Sequence, residues 1–232
     1  MKKTLAIIIV SLIIGTSAAI AFSDVIPTET YYNGITYLAE EGIVNGNPDG
    51  TFKPNNTLNR AEMIKIIAEG SAKYYGKSST IFDSYGDKNC FYDVKANQWY
   101  TKYVCYGMEH GWVKGYEDGS YKPDQTVSFV EGLKIAFKGF EIPYDEFDTP
   151  WYKSSVDFAS TKNYIPFTIN SFNNGLKRNE MADLVTRMIK AGAGEGKMNE
   201  YLGDRAEIVV TYETIKAGLN LSIMQSQTLN TQ

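Results

Sequence analysis

Apolar residues recur along this chain at helical spacing, in segments separated by loops rich in turn residues. Met63, Ile66, Ile67 and Gly70 fall on one face of a stretch running roughly from Arg60 to Tyr74, and Met181, Leu184, Val185, Met188 and Ile189 repeat the spacing later. Apolar positions at i, i+3, i+4 and i+7 predict amphipathic helices. Upstream, Ile35 and Leu38 mark a shorter helix from about Thr30 to Glu41, ended by Gly42. The loop Gly42-Ile-Val-Asn-Gly-Asn-Pro-Asp-Gly-Thr-Phe-Lys-Pro then leads to Asn59 with Glu62 three residues on, a capping box opening the second helix. The unit is helix, structured loop, helix.

The same pattern returns twice. Gly42 stands 12 positions after Thr30, Gly111 12 after Trp99 and Asn163 12 after Trp151. Asp49-Gly50-Thr-Phe-Lys-Pro54 matches Asp118-Gly119-Ser-Tyr-Lys-Pro123, and Leu58-Asn-Arg-Ala-Glu62 matches Val127-Ser-Phe-Val-Glu131. The third copy is worn: Leu176-Lys-Arg-Asn-Glu180 follows a loop three residues shorter, without the Asp-Gly pair and with Lys177 at the cap. Repeated units of this size bury their apolar faces against one another, so the three read as one domain.

Phe22-Ser-Asp-Val25 and Phe91-Tyr-Asp-Val94, the Trp-Tyr pairs at 99 and 151, the Gly-x-x-x-Gly-x-x-Asp-Gly loops and the Arg-Ala-Glu-like helix starts resemble the surface-layer homology (SLH) modules of bacterial envelope proteins. The resemblance spans about residues 22 to 191. It implies an all-α, pseudo-threefold domain of three helix-loop-helix repeats that binds secondary cell-wall polysaccharide, often pyruvylated, in grooves between repeats. Position by position it implies that Arg60 and Arg178 pair with a ketal carboxylate, that Trp99 and Trp151 line grooves, and that Asp49, Gly50 and Asp118 shape or contact the ligand loop. Thr30 and Phe129 depart from the pattern, which implies one or two competent grooves.

The residues themselves support a subset of this. Arg60 and Arg178 stand in the first turn of a helix, where free N–H groups and the helix dipole favour an anion. A bidentate Arg–carboxylate contact discriminates charged from neutral glycans. Asp49 and Asp118 are turn residues in the first instance, and a tryptophan before a helix serves equally as a packing residue.

Residues 1–21 read as a secretory signal: Lys2-Lys3, an apolar run from Leu5 to Ile14, then Ala19-Ile-Ala21. An uncleaved anchor is the competing reading. Without the two leader lysines, 21 Lys+Arg face 27 Asp+Glu, a net charge of −6. That balance argues against nucleic acid or an anionic bilayer as partner. Cys90 and Cys105, the only cysteines, read as a disulfide in an exported chain. Neither they nor His110, read as a helix-end cation, make a credible metal or nucleophilic centre, and no cofactor is expected.

The expected organisation is a signal at 1–21, repeats at 22–75, 91–140 and 141–191, an insertion at 76–90 that reads as a surface loop, and a tail at 192–232 of no assigned role. In that tail Gly192 to Gly196 reads as a hinge, and 208–221 as a helix or a strand. The favoured function is non-catalytic attachment to a wall glycan, with other surface-layer subunits as further partners. A structural lattice subunit and a wall-glycan hydrolase, which would need two carboxylates across a cleft, stand as alternatives.

Overall fold

A computed structural model gives the structure of residues 22–219. The signal reading over 1–21 and the polar end of the tail lie outside the described residues. Helices α1 (Tyr32–Glu40) and α2 (Arg60–Tyr74) form one pair, α3 (Thr101–Glu109) and α4 (Phe129–Gly139) a second, and α5 (Lys153–Thr161) and α6 (Arg178–Gly192) a third. Helices α7 (Glu195–Leu202) and α8 (Tyr212–Lys216) follow, with 3-10 segments at Ser79–Tyr85 and Gly203–Glu207. Among the described residues there are isolated bridges but no strand, and the fold is all-α.

Each first helix ends on a residue in the left-handed region. Gly42 and Gly111 both have φ +71°, and Asn163 takes the same place at φ +52°. That conformation turns the chain so that Ile43, Trp112 and Tyr164 donate N–H back to Leu38, Gly107 and Ala159. A side chain at Gly42 or Gly111 would be strained. Asn163 offsets its strain through its amide, which donates to the Ala206 carbonyl and accepts from Arg187.

The second helices open on the expected caps. Asn59 Oδ1 accepts from Glu62 N–H at 2.8 Å while Glu62 Oε2 accepts from Asn59 N–H at 3.0 Å, and Ser128 with Glu131 repeats the exchange. At α6 the lysine side chain has nothing to accept with. Glu180 still takes the Lys177 N–H, and Asn179 Oδ1 supplies the missing acceptor to Glu180 N–H at 2.8 Å.

Just before these caps the three loops meet in a closed ring of backbone hydrogen bonds. Leu58 N–H donates to Leu176 O (2.9 Å), Leu176 N–H to Val127 O (2.9 Å), and Val127 N–H to Leu58 O (3.0 Å), with all three side chains buried. Helix packing follows the same cycle: α3 lies on α2, α5 on α4, and α1 returns onto α6, while α2 also packs against α4 and α6. The buried side chains of all six helices belong to one core.

The loops are clamped by the opening motifs. Asp24 accepts from the Phe52 and Lys53 N–H groups at 2.7 and 2.8 Å, and Asp93 does the same for Tyr121 and Lys122 at 2.8 and 2.7 Å. A Cβ at Gly46 or Gly115 would come within 2.5 Å of the Phe22 or Phe91 ring, which explains the second glycine of each loop.

Two expectations change. The insertion is not a plain surface loop: its 3-10 segment buries Phe82 against Tyr103 and Tyr106, with ring centroids at 5.3 and 4.8 Å. The glycines after α6 do not make an open hinge, because α6 continues through Gly192 and α7 begins at Glu195, burying Met198 and Leu202. Of the two options for 208–221, the helix is realised, with α8 packed on α5. Cys90 and Cys105 form the disulfide, Cα to Cα 5.4 Å, tying the second opening motif to α3.

Candidate functional site

Because the second helices are capped against their neighbours' loops, their first residues are delivered into equivalent surroundings. Arg60 N–H donates to Gln125 O, Arg178 N–H to Asn56 O, and Phe129 N–H to Asn174 O. Each N-terminal side chain therefore enters the unit that follows it in the ring.

Arg60 is only 7% exposed. Its Nε donates to Tyr121 O at 2.8 Å, and its guanidinium lies 4.6 Å from the Tyr121 ring centroid and 5.1 Å from that of Tyr116. Tyr121 closes the loop by donating its hydroxyl to Arg60 O. Among the described residues Arg60 has no ion-pair partner, and it lines a cleft of about 270 Å³ between the α3–α4 loop, α4 and the start of α5. A guanidinium so far removed from water, fixed by one nitrogen and stacked on aromatic faces, retains two terminal amino groups for an anion.

The rest of that cleft suits a carbohydrate carrying acidic groups. Trp112 and Trp151 supply flat apolar walls; Trp151 is 38% exposed and has Lys134 Nζ 5.1 Å from its ring. Lys114, Lys134 and Lys138 bring positive charge, and Glu131 and Glu146 bring negative. Glu131 is engaged by the backbone and hydroxyl of Ser128. Glu146 is held below the usual carboxylate range by its hydrogen bond from Lys138 and, less, by Lys134.

Arg178 repeats the placement but not the surroundings. Its Nε donates to Phe52 O at 2.7 Å and its guanidinium lies 4.7 Å from the Phe52 ring, yet its terminal nitrogen is paired with Glu62 Oε1 at 3.3 Å. It is absent from the wall of the Arg60 cleft, and the two arginines do not converge. Burial pushes its pKa down against the pull of Glu62. Phe129, in the third equivalent place, is 1% exposed and is a packing residue beside a smaller polar cavity lined by Thr168, Asn174, Lys177 and Glu180.

The remaining expected residues are placed as follows. Trp99 is 53% exposed, edge-on to Tyr100, and stands apart from the Arg60 cleft. Asp49 accepts from the backbone and hydroxyl of Thr51 and pairs with Lys53 at 3.2 Å; Asp118 makes the same turn with Ser120 and Lys122. Gly50 and Gly119 sit at φ +78° and +77° in those turns. His110 caps the end of α3 with its ring stacked on Tyr106, centroids 3.8 Å apart. Sequence reading passed over Trp112, Lys134, Lys138 and Glu146. The lysines lie three and seven residues beyond the Glu131 cap, a spacing that places them on one helical face, but which face meets the cleft is a property of the packing.

Fold and site together define a ring of helix pairs presenting an aromatic, mainly basic cleft around a buried unpaired arginine. The S-layer homology domain family model matches residues 21–64 and 91–129 of the chain. The chain is similar to a cellulosome-anchoring protein of Acetivibrio thermocellus, 26% identical over 127 residues, 55% of this chain and 27% of that one. It also resembles a surface-layer 125 kDa protein of Lysinibacillus sphaericus, 26% identical over 164 residues covering 66% and 13%. A cell surface protein of Thermoanaerobacter kivui is 22% identical over 220 residues covering 92% and 28%. The chain thus spans little more than a quarter of the length of such curated relatives, or less. Family and relatives place it as a surface protein at the cell surface or wall.

Proposed function

We propose that this protein attaches to the envelope by binding an acidic secondary wall polysaccharide in the Arg60 cleft, without catalysis. Residues 141–191 then serve as a third, degenerate repeat, and the ring is pseudo-threefold. The observation carrying this reading is Arg60: a buried guanidinium with no counter-ion, beside a cleft walled by Trp112 and Trp151. A buried charge is costly unless something pairs with it, and a pyruvate ketal carboxylate matches its free edge. The tryptophans offer stacking faces to the sugar rings. In this reading Arg178 holds the ring together, Asp49, Gly50 and Asp118 shape loops, and Trp99 flanks the domain.

A wall-glycan hydrolase is a poorer fit. Glycoside hydrolysis needs a carboxyl kept protonated near neutral pH, whereas Glu146 is driven the other way by its lysines and Glu131 is spent on a helix cap.

Cosedimentation with purified walls tests the reading. Arg60→Lys keeps the charge and loses the planar fork that matches a carboxylate bidentately, and is expected to weaken wall binding about tenfold, the loss of one charge-assisted hydrogen bond of about 1.5 kcal/mol. Walls stripped of ketals by mild acid are expected to bind as weakly. Unaltered binding by Arg60→Lys, or to stripped walls, would refute the arginine–carboxylate assignment.

A further inference from the structure

The far end of the Arg60 cleft is occupied by the chain itself. Glu146 lies between Lys134 and Lys138, 3.6 Å from the former and hydrogen-bonded to the latter. All three line the cleft that Arg60 enters. The cleft therefore has two cationic seats: one open at Arg60, one filled by an internal carboxylate.

The equivalent positions of the other second helices show how the filling varies. Counting three and seven residues from the cap glutamate gives Lys65 and Glu69 in α2 and Asp183 and Arg187 in α6. In each case residues later in the chain reach back onto the acidic member of the pair. Ser79 hydrogen-bonds Glu69, and Tyr103 donates to it at 2.6 Å. Tyr201 donates to Asp183 at 2.6 Å and Arg205 pairs with it at 3.3 Å, while Arg187 holds its other oxygen at 2.7 Å. Those two coverings are locked in place by buried apolar residues, Phe82 in one and Met198 with Leu202 in the other. The covering of α4 is not. Glu146 stands in an irregular stretch whose next residue, Phe147, is 96% exposed. Tyr144, its inner anchor, packs on Phe137, but its hydroxyl is buried without a hydrogen-bond partner. Such an unmet hydroxyl lowers the stability of the docked position.

We propose that Glu146 is a built-in stand-in for a second ligand carboxylate, and that it determines which anionic glycans enter: a ligand with one acidic group binds at Arg60 alone, while a second acidic group must displace Glu146 from the lysine pair. The exchange is within reach because the Lys134, Lys138 and Glu146 side chains are 40%, 32% and 34% exposed, and ion pairs of that exposure are weak. The polysaccharide ligand is taken from the reading above; the lysine seat itself can be probed without it.

The full chain and its Glu146→Gln variant are titrated with pyruvate, a single small carboxylate, following the Trp151 indole N–H by NMR. Both are also tested for cosedimentation with native and ketal-stripped walls. Glu146→Gln is expected to bind pyruvate about threefold to fivefold more tightly, the loss of one exposed ion-pair competitor, and to gain affinity for native walls but not for stripped ones. Lys134→Gln/Lys138→Gln added to Glu146→Gln is expected to abolish the gain. Pyruvate binding unchanged or weakened in Glu146→Gln, or a gain that survives loss of both lysines, overturns the proposal. If the pyruvate gain appears while neither protein sediments with walls, the seat stands and the polysaccharide reading is the one that fails.

Discussion

Arg60 and Arg178 occupy the same first turn of equivalent helices, donate Nε to equivalent loop carbonyls, and lie over equivalent rings, Tyr121 and Phe52. One has no counter-ion and borders a cleft, while the other is paired with Glu62. The two differ at the neighbour's cap glutamate: Glu62 holds the Asn59 N–H on one oxygen and the Arg178 guanidinium on the other, whereas Glu131 bonds Ser128 and makes no ion pair with Arg60. Identical residues at identical register can thus be a ligand seat or a strut. What decides is whether a partner within the protein has already claimed the charge.

The largest effect is expected at the disulfide, which secures α3 in the unit that Arg60 enters. Closing a 15-residue loop contributes about 3 kcal/mol on the chain-entropy model. Cys90→Ser/Cys105→Ser is therefore expected to lower Tm by about 6–12 °C while wall binding below the new transition is retained. Loss of binding in a still folded variant would show that the Arg60 cleft depends on the anchoring of α3. Next comes Arg178→Ala, which frees Glu62 and removes the bond to the Phe52 carbonyl. It is expected to cost about 1–2 kcal/mol in urea unfolding and to leave cosedimentation within twofold, opposite to Arg60→Lys; a wall-binding defect as deep as that of Arg60→Lys would erase the distinction.

The smallest effect concerns the loop turn. Hydrogen bonds from the Thr51 hydroxyl and backbone hold the Asp49 carboxyl at about 2, below its ordinary 3.8. A group whose folded pKa is depressed contributes stability above its unfolded pKa, and that contribution is lost as pH falls through the folded value. Wild type should therefore exceed Asp49→Asn slightly in stability at pH 5, with the gap closing between about pH 4 and pH 2. Denaturation midpoints at those pH values check this, and a gap that persists at pH 2 would assign it to a cause other than ionisation.

Much of the architecture is legible in local signals. The helix limits at Arg60 and Tyr74, the capping boxes at Asn59 and Ser128, and the left-handed stops at Gly42, Gly111 and Asn163 are set within a few residues of chain, by propensity and by the needs of helix ends. The buried Phe82 and the docked α7 were not legible, because a short polar stretch with one or two apolar residues reads alike whether or not it finds a surface to cover.

What the sequence alone determined is the repeated helix-loop-helix unit, its caps and turns, and the delivery of Arg60, Arg178 and Phe129 to matching positions, since these depend on spacing and short-range hydrogen bonding. Only the tertiary structure decided which arginine is free, that Trp112, Lys134, Lys138 and Glu146 share its cleft, and that the other two positions are covered by the insertion and the tail. The reason is physical: a charge's role is set by the groups within a few ångströms of it, and here those come from helix pairs tens of residues apart, brought together only when the ring closes.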